Sequence, residues 1–280
     1  MSMAGSACNK PKRRSLLRRL VVMATALAVL VGAVSAYAAS SGFNTYTAKL
    51  SFSPNKAGSS TAPSALGWTE VLGANGTAGN RTAPLTDIKT TFYGLTSNGK
   101  DFPTCSLSTI SAAKSDTGCP KGALVATGSI TALLGPVSDQ SASNPTVVPC
   151  DPLLDVWNAG QGKVVFFFVD QAPSHLCAGG AVPTGYVGPF PGTIKTVGKN
   201  LVENTPIPTY VSFPLSGVEG SLTSETLHWT NLKRKVKGKT VYYTQSVGCK
   251  SGKRPYSVAY TAEQNGTSQT GTVTGSAKCS

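Results

Sequence analysis

The stretch PTCSLSTISAAKSDTGCPKGALVATGSITALL, residues 103–134, places two cysteines fourteen positions apart and follows them with a glycine-broken apolar run. Between the two cysteines, Leu107, Ile110 and Ala113 fall on one face of a short helical turn. The cysteines lack the CxxC spacing that is typical of zinc and redox sites. The stretch therefore predicts a disulfide that closes a compact excursion of the chain just before a β-strand.

The N-terminal segment, residues 1–38, has the pattern of an export signal. Its first twenty residues hold six basic residues and no acid, and the apolar run LVVMATALAVLVGAVSAYA follows them. The sequence Ala36-Tyr37-Ala38 supplies the small residues that signal peptidase requires, which predicts cleavage after Ala38 and a secreted or cell-envelope protein. The apolar residues 20–39 are also long enough to span a bilayer, so an uncleaved membrane anchor is the alternative. The string RRSLLR has some likeness to a twin-arginine export motif.

Cleavage would leave an even number of cysteines, and an oxidising compartment favours their pairing as disulfides. The chain has only two histidines, so neither a zinc site nor any cofactor is predicted. The short excursion between the first two cysteines and the need to fix the C-terminus give two of the pairs, and the third follows by elimination. The predicted disulfides are Cys105 with Cys119, Cys150 with Cys177, and Cys249 with Cys279.

Short alternating runs separated by turn residues dominate the chain after the signal. They predict eleven strands, over residues 45–52, 66–72, 87–94, 123–134, 163–170, 193–198, 209–215, 226–236, 240–247, 256–263 and 268–276. The run KVVFFFVD at 163–170 has no polar alternation, which indicates a central strand buried on both faces. We therefore expect an all-β fold, an antiparallel β-sandwich of the jelly-roll or immunoglobulin-like type, in one domain over residues 39–280.

The net charge of +13 would fall to +7 on cleavage, because the signal holds six cations and no acid. The run KRKVKGK places five of the remaining cations in a predicted hairpin that turns at Lys237-Gly238; they are Lys233, Arg234, Lys235, Lys237 and Lys239. Contact with an anionic cell-wall polymer is one interpretation of this run. A solvated hairpin whose lysines prevent edge-to-edge pairing of strands is the commoner one. Nucleic acid is not an expected partner of an exported chain.

Trp68 and Trp229 are candidates for stacking on sugar rings, provided that they lie on an exposed face of the sheet. Trp157 precedes the buried strand and is interpreted as a core residue. These two candidates suggest a glycan ligand from the cell wall or the environment.

The hydrolase motifs GxSxG and HExxH do not occur in the chain. Carboxylate pairs for glycoside cleavage could be drawn from a larger set, most of which is interpreted as turn and edge residues: Asp151, Asp155, Asp170, Glu203, Glu219, Glu225 and Glu263. The sequence favours a non-catalytic secreted or cell-surface protein that binds glycans, with a secreted glycan-acting hydrolase as the alternative.

The string FPTCSLSTI followed by GCPKGALVATGS resembles a family of exported proteins that is abundant in high-GC Gram-positive bacteria. Members carry a PxC run followed by CPxGSxVGxG, and they share pieces similar to SPNKAGSSTAPSAL and YYTQSVGCKSGKRPYSVAYT. Here Ala123 and Ala126 stand where that pattern has serine and its first late glycine. The resemblance implies secretion, a β-rich fold and disulfides, and it brings no activity and no site residues.

Overall fold

The computed structural model describes residues 38–170, 176–178, 182 and 184–280. Residues 1–37 of the predicted signal peptide therefore lie outside the described residues, whereas Ala38 and Ala39, on the two sides of the predicted cut, are described. Within the described ranges, no helix has both the length and the apolar character needed to cross a membrane.

The described residues form eighteen strands and two short α-helices. The helices are α1 (Leu107–Ala113) and α2 (Thr209–Ser212). The strands are β1 (Ala39–Ser40), β2 (Asn44–Ser53), β3 (Ser64–Ala65), β4 (Gly67–Gly76), β5 (Leu85–Tyr93), β6 (Leu95–Ser97), β7 (Leu124–Pro136), β8 (Val148–Cys150), β9 (Leu153–Asn158), β10 (Lys163–Val169), β11 (Phe190–Val197), β12 (Asn200–Pro206), β13 (Val218–Trp229), β14 (Lys233–Val236), β15 (Lys239–Tyr242), β16 (Thr244–Ser246), β17 (Lys253–Gln264) and β18 (Thr267–Lys278).

Thirteen strands form one antiparallel sheet in the order β1-β2-β4-β13-β7-β9-β10-β11-β12-β5-β17-β18, with β8 paired to β7. The last strand, β18, lies beside β1 and β2 at the start of this order. At this junction a side chain on Gly271 would meet the ring of Tyr46. The antiparallel all-β prediction is confirmed. The sheet is nearly barrel-like and does not clearly divide into the two packed sheets of the predicted sandwich, because hydrogen bonds link its strands continuously.

The alternation of side chains explains which residues fill the interior. In β2 every second residue is buried, which places Tyr46, Ala48 and Leu50 inside and the threonine and lysine between them outside. Strand β10 behaves differently, since its residues 164–167 are buried one after another. This confirms the prediction for the VVFFFV run, which has structure packed against both of its faces.

The six cysteines form three disulfides in the order that the sequence predicts, namely Cys105–Cys119, Cys150–Cys177 and Cys249–Cys279. The excursion closed by the first disulfide contains the expected helical turn as α1, which the hydroxyl of Ser106 caps by accepting from the Thr109 amide. Ile110 of α1 packs with Trp157 beside this disulfide, so the interpretation of Trp157 as a core residue is also confirmed.

Three predicted strands differ from the structure. Residues 209–215 contain helix α2, because Pro208 supplies a preset φ of −66° immediately before the helix and the amide of Phe213 closes it by donating to the Thr209 carbonyl. The predicted strand 226–236 is divided, since β13 ends at Trp229 before the hairpin of β14 and β15 begins. The predicted strand 240–247 is divided between β15 and β16, which belong to different sheets. The strands that no sequence pattern indicated are β1, β3, β6, β8, β9 and β12.

Candidate functional site

The predicted sugar-stacking tryptophans do not lie on a surface. Trp68 is 2% exposed and Trp229 is 3% exposed. Their rings stack on each other inside the sheet with centroids 4.7 Å apart. Neither ring offers a free face to a sugar, so this prediction is wrong. The residues alternate inward on the neighbouring strands β4 and β13, where they pair directly.

The five predicted polymer-contact cations, Lys233, Arg234, Lys235, Lys237 and Lys239, all lie exposed on the β14–β15 hairpin. Lys237 and Gly238 form the two-residue turn with φ values of 49° and 78°, so the turn lies where the sequence predicts it. Arg234 donates to the Asp101 carbonyl oxygen at 2.7 Å. The hairpin follows the Trp229 end of β13, and this distinguishes it from a concave region at the Val218 end of the same strand.

A polar cleft of about 620 Å³ lies at the Val218 end of the sheet. The turn between β17 and β18, the loop after β7 and helix α2 meet there. Its polar lining includes three amides, two carboxyl groups and a threonine hydroxyl, from Gln140, Gln264, Asn265, Glu219, Glu263 and Thr209. Such groups both donate and accept hydrogen bonds, which matches a ligand that is rich in hydroxyl groups.

A buried ion pair supports one wall of the cleft. Arg81 Nη2 lies 3.2 Å from Glu219 Oε1, and both side chains are almost fully enclosed. The same guanidinium donates to the carbonyl oxygens of Asp139 and Pro136 at 2.8 Å and 3.0 Å. Burial raises the pKa of Glu219, and the Arg81 charge opposes this rise. Arg81 thus joins β13 to the loop after β7 and fixes the wall before any ligand arrives.

Helix α2 supplies the aromatic group of the cleft. Phe213 directly follows the helix, lines the cleft and is 41% exposed. The backbone amide of Phe213 donates to the Thr209 carbonyl at 2.7 Å, which fixes the backbone at this residue. An exposed ring beside hydrogen-bonding groups can pack against the apolar face of a ligand while those groups bind its edges.

An apolar cavity of about 120 Å³ adjoins the cleft inside the sheet. Strands from β5 to β13 and the Cys150–Cys177 disulfide surround it with aliphatic and aromatic side chains. Phe166 and Phe190 form part of this wall, and their rings stack with centroids 5.2 Å apart. Glu225 contributes a carboxyl group to the largely apolar lining, and Thr205 and Ser212 contribute hydroxyl groups.

Glu225 belongs to a group of three interior carboxyl groups, which we call the acidic trio: Glu70, Glu203 and Glu225. Leu227 pairs with Glu70 across β13 and β4, so Glu225 and Glu70 share the inner face as diagonal neighbours. Glu203 approaches from β12, and its charge interacts with those of both other glutamates. Glu203 and Glu225 do not fit the turn and edge interpretation given to most of the candidate carboxyl groups, because both point inward from strands within the sheet.

Burial dominates the electrostatics of the acidic trio. Burial, together with the charge of Glu225, raises the pKa of Glu70 to about 8, although a hydrogen bond from Trp229 Nε1 to Glu70 Oε1 at 2.9 Å opposes the rise. Burial also raises the pKa of Glu225 to about 7 and that of Glu203 well above its ordinary value. The only ion pair among the described residues is that of Arg81 and Glu219. At neutral pH the raised pKa values therefore favour the protonated forms of Glu70 and Glu203, whereas Glu225 is close to half-protonated.

Five residues of these sites were not among the candidates predicted from the sequence, namely Glu70, Arg81, Gln140, Gln264 and Phe213. Glu70 could have been predicted to face inward, since it alternates in phase with Trp68 and Leu72 in a strand whose inner face is apolar.

Comparison of the chain with protein-family models, with curated proteins and with solved structures finds no match.

Proposed function

We propose that this protein is a non-catalytic binding protein whose polar cleft holds a hydroxyl-rich ligand of the glycan class. The observation that carries the proposal is the lining of the cleft, which combines amide and carboxyl side chains with the exposed Phe213 ring. Its volume of about 620 Å³ is within the usual range for small-ligand sites. The Arg81–Glu219 pair keeps one wall in place, which reduces the entropy lost on binding.

The proposal includes the location of the protein. We place it outside the cell or in the cell envelope, as a member of the exported high-GC Gram-positive family that it resembles. Support comes from the three disulfides, since such bonds persist in oxidising compartments. The β14–β15 hairpin, at the other end of the sheet from the cleft, is proposed as a weak contact for an anionic wall polymer.

A secreted glycan-acting hydrolase is the second candidate, because two carboxyl groups line the same cleft. These are Glu219 and Glu263, and paired carboxyl groups are what glycoside cleavage requires. The ion pair with Arg81 instead gives Glu219 a structural partner, which favours binding over catalysis.

A glycan array tests the proposal. We expect Phe213→Ala to weaken binding of the retained glycans by roughly three- to tenfold, through loss of the ring contact. Tyr186→Ala is the matched control, since it removes an exposed ring that does not line the cleft. Equal binding by Phe213→Ala and the wild type, or no retained glycan, would contradict the proposal.

The retained glycans are then incubated with the wild type, Glu219→Gln and Glu263→Gln, and the products are followed by mass spectrometry. Intact glycans are expected with all three proteins. Cleavage by the wild type that is lost in either variant would replace the binding function with the hydrolase.

A further inference from the structure

The polar cleft and the apolar cavity meet at helix α2. Ile207 and Ser212 line both spaces, so the two lie next to each other and share this part of their wall. The helix directs Thr209 toward the cleft and Val211 toward the cavity. The Ser212 hydroxyl already donates to the Leu85 carbonyl at 3.1 Å, so it needs no further partner at this boundary.

We infer that the two spaces hold the two parts of one amphiphilic ligand, with a hydroxyl-rich head in the cleft and an alkyl chain in the cavity. The inference rests on the proposed function for the head and adds the chemical class of the tail. A chain that passes Ile207 and Ser212 leaves a polar environment for a wall formed by leucine, isoleucine, valine and phenylalanine side chains. An alkyl chain suits that wall, because a polar group would lose its hydration there and the lining offers it few polar side chains, namely Thr205, Ser212 and Glu225.

The size of the cavity limits the chain. A cavity of about 150 Å³ with a similar apolar lining holds the six carbons of benzene. The cavity described here has about 120 Å³, which corresponds to about five carbon atoms by the same measure. Affinity should therefore rise with chain length over the first few methylene groups and then become constant. Each buried methylene is expected to tighten binding by up to about fourfold.

The test uses n-alkyl β-D-glucopyranosides with methyl, butyl, hexyl and octyl chains, below their micelle concentrations, with affinities from calorimetry or ligand-observed NMR. We expect hexyl glucoside to bind at least about tenfold more tightly than methyl glucoside, and octyl glucoside to add little beyond hexyl. Equal affinities across the series, or no binding of any alkyl glucoside, would overturn the inference. Equal affinities would leave the proposed head site intact, because methyl glucoside and the array measure that site separately.

Ala132→Phe places a ring in the cavity, since Ala132 lines it. This variant should remove the dependence on chain length while leaving the affinity for methyl glucoside within about twofold of the wild type. Ala113→Phe, on the exposed side of α1, is the control for added apolar surface. The wild-type series needs no substitution, so it decides the inference even where Ala132→Phe fails to fold.

1-Hexanol serves as a tail without a head. It should compete with hexyl glucoside for the cavity. Simultaneous binding of 1-hexanol and hexyl glucoside, with neither displacing the other, would overturn the inference of a single ligand. An affinity for 1-hexanol equal to that for hexyl glucoside would instead count against the proposed function, because it would show that the cleft contributes nothing to binding.

Discussion

Two groups of buried carboxyls in this protein differ in their partners. Glu219 lies beside the Arg81 guanidinium, which also binds two backbone carbonyl groups. The acidic trio lies deeper in the sheet, where its members interact mainly with one another and Glu70 accepts a hydrogen bond from Trp229. One group is a charged pair that fixes a loop, and the other is a set of acids that retains protons.

The difference shows that a protein can accommodate a buried carboxyl group in two ways. A buried ion pair stays charged because the partner charge and hydrogen bonds replace lost hydration. Buried acids without a cation avoid the cost of desolvating a charge by remaining neutral, which raises their pKa. The first arrangement fails when a partner is removed, whereas the second fails when the pH rises.

Removal of the Arg81 guanidinium should have the largest effect. In Arg81→Met the Glu219 carboxylate loses its cation, and the carbonyl groups of Asp139 and Pro136 lose their donor. We expect a loss of about 3–5 kcal/mol in the free energy of unfolding, measured by urea denaturation.

The double variant Arg81→Met/Glu219→Gln is the control for the ion pair. It leaves no uncompensated charge, so it should regain part of the stability that the single variant loses. A cost below about 1 kcal/mol for Arg81→Met would show that the loop does not depend on this pair.

The acidic trio should make stability fall as the pH rises. Between about pH 5 and pH 8 the folded chain holds protons on these glutamates that the unfolded chain has released, so rising pH favours unfolding. Each unit of pKa elevation corresponds to about 1.4 kcal/mol. We expect the double variant Glu70→Gln/Glu203→Gln to remove ~2–3 kcal/mol of the change between pH 5 and pH 9, measured by urea unfolding at each pH.

Part of the decrease in the free energy of unfolding with pH should persist in that variant, because burial and Asp116 raise the pKa of Asp155 to about 7. Glu263→Gln provides the matched control, since it removes an exposed carboxyl group and should retain the wild-type slope. A wild type whose stability is constant or rises between pH 5 and pH 9 would contradict the account of the trio.

Local patterns in the sequence were sufficient for much of the fold. Alternation identified β2, a continuous apolar run identified β10, and the pairing of cysteines followed from loop length and from the position of Cys279 near the terminus. The pairing of distant strands was not predictable in this way. Closure depends on β18 reaching β1 and β2, and no local pattern in either segment specifies that neighbour.

The cleft could not be predicted from the sequence for the same reason. Gln140, Phe213 and Asn265 belong to three separate connections that tertiary structure brings together. The tryptophan interpretation failed because the sequence gives the alternation of Trp68 and Trp229 without showing which face is covered. The glutamates at inward positions of β4, β12 and β13 were the strongest unused signal, since a carboxyl group in an apolar alternation indicates a buried acid.

Exposed charges complete the comparison and should give the smallest effect on stability. Replacement of Lys233, Lys235, Lys237 and Lys239 by serine removes four cations from the β14–β15 hairpin, whose side chains lie in solvent. We expect a change within about 0.5 kcal/mol in the free energy of unfolding, in contrast to the buried pair. Arg234 is retained because it donates to the Asp101 carbonyl. Retention on an anionic wall polymer should fall in this variant, because four cations that attract the polymer are lost. The measurement uses low salt, since attraction between exposed charges is screened over about 8 Å at physiological salt. Equal retention of the variant and the wild type at low salt would contradict the proposed polymer contact. The lysines would then serve only to keep the hairpin in solution.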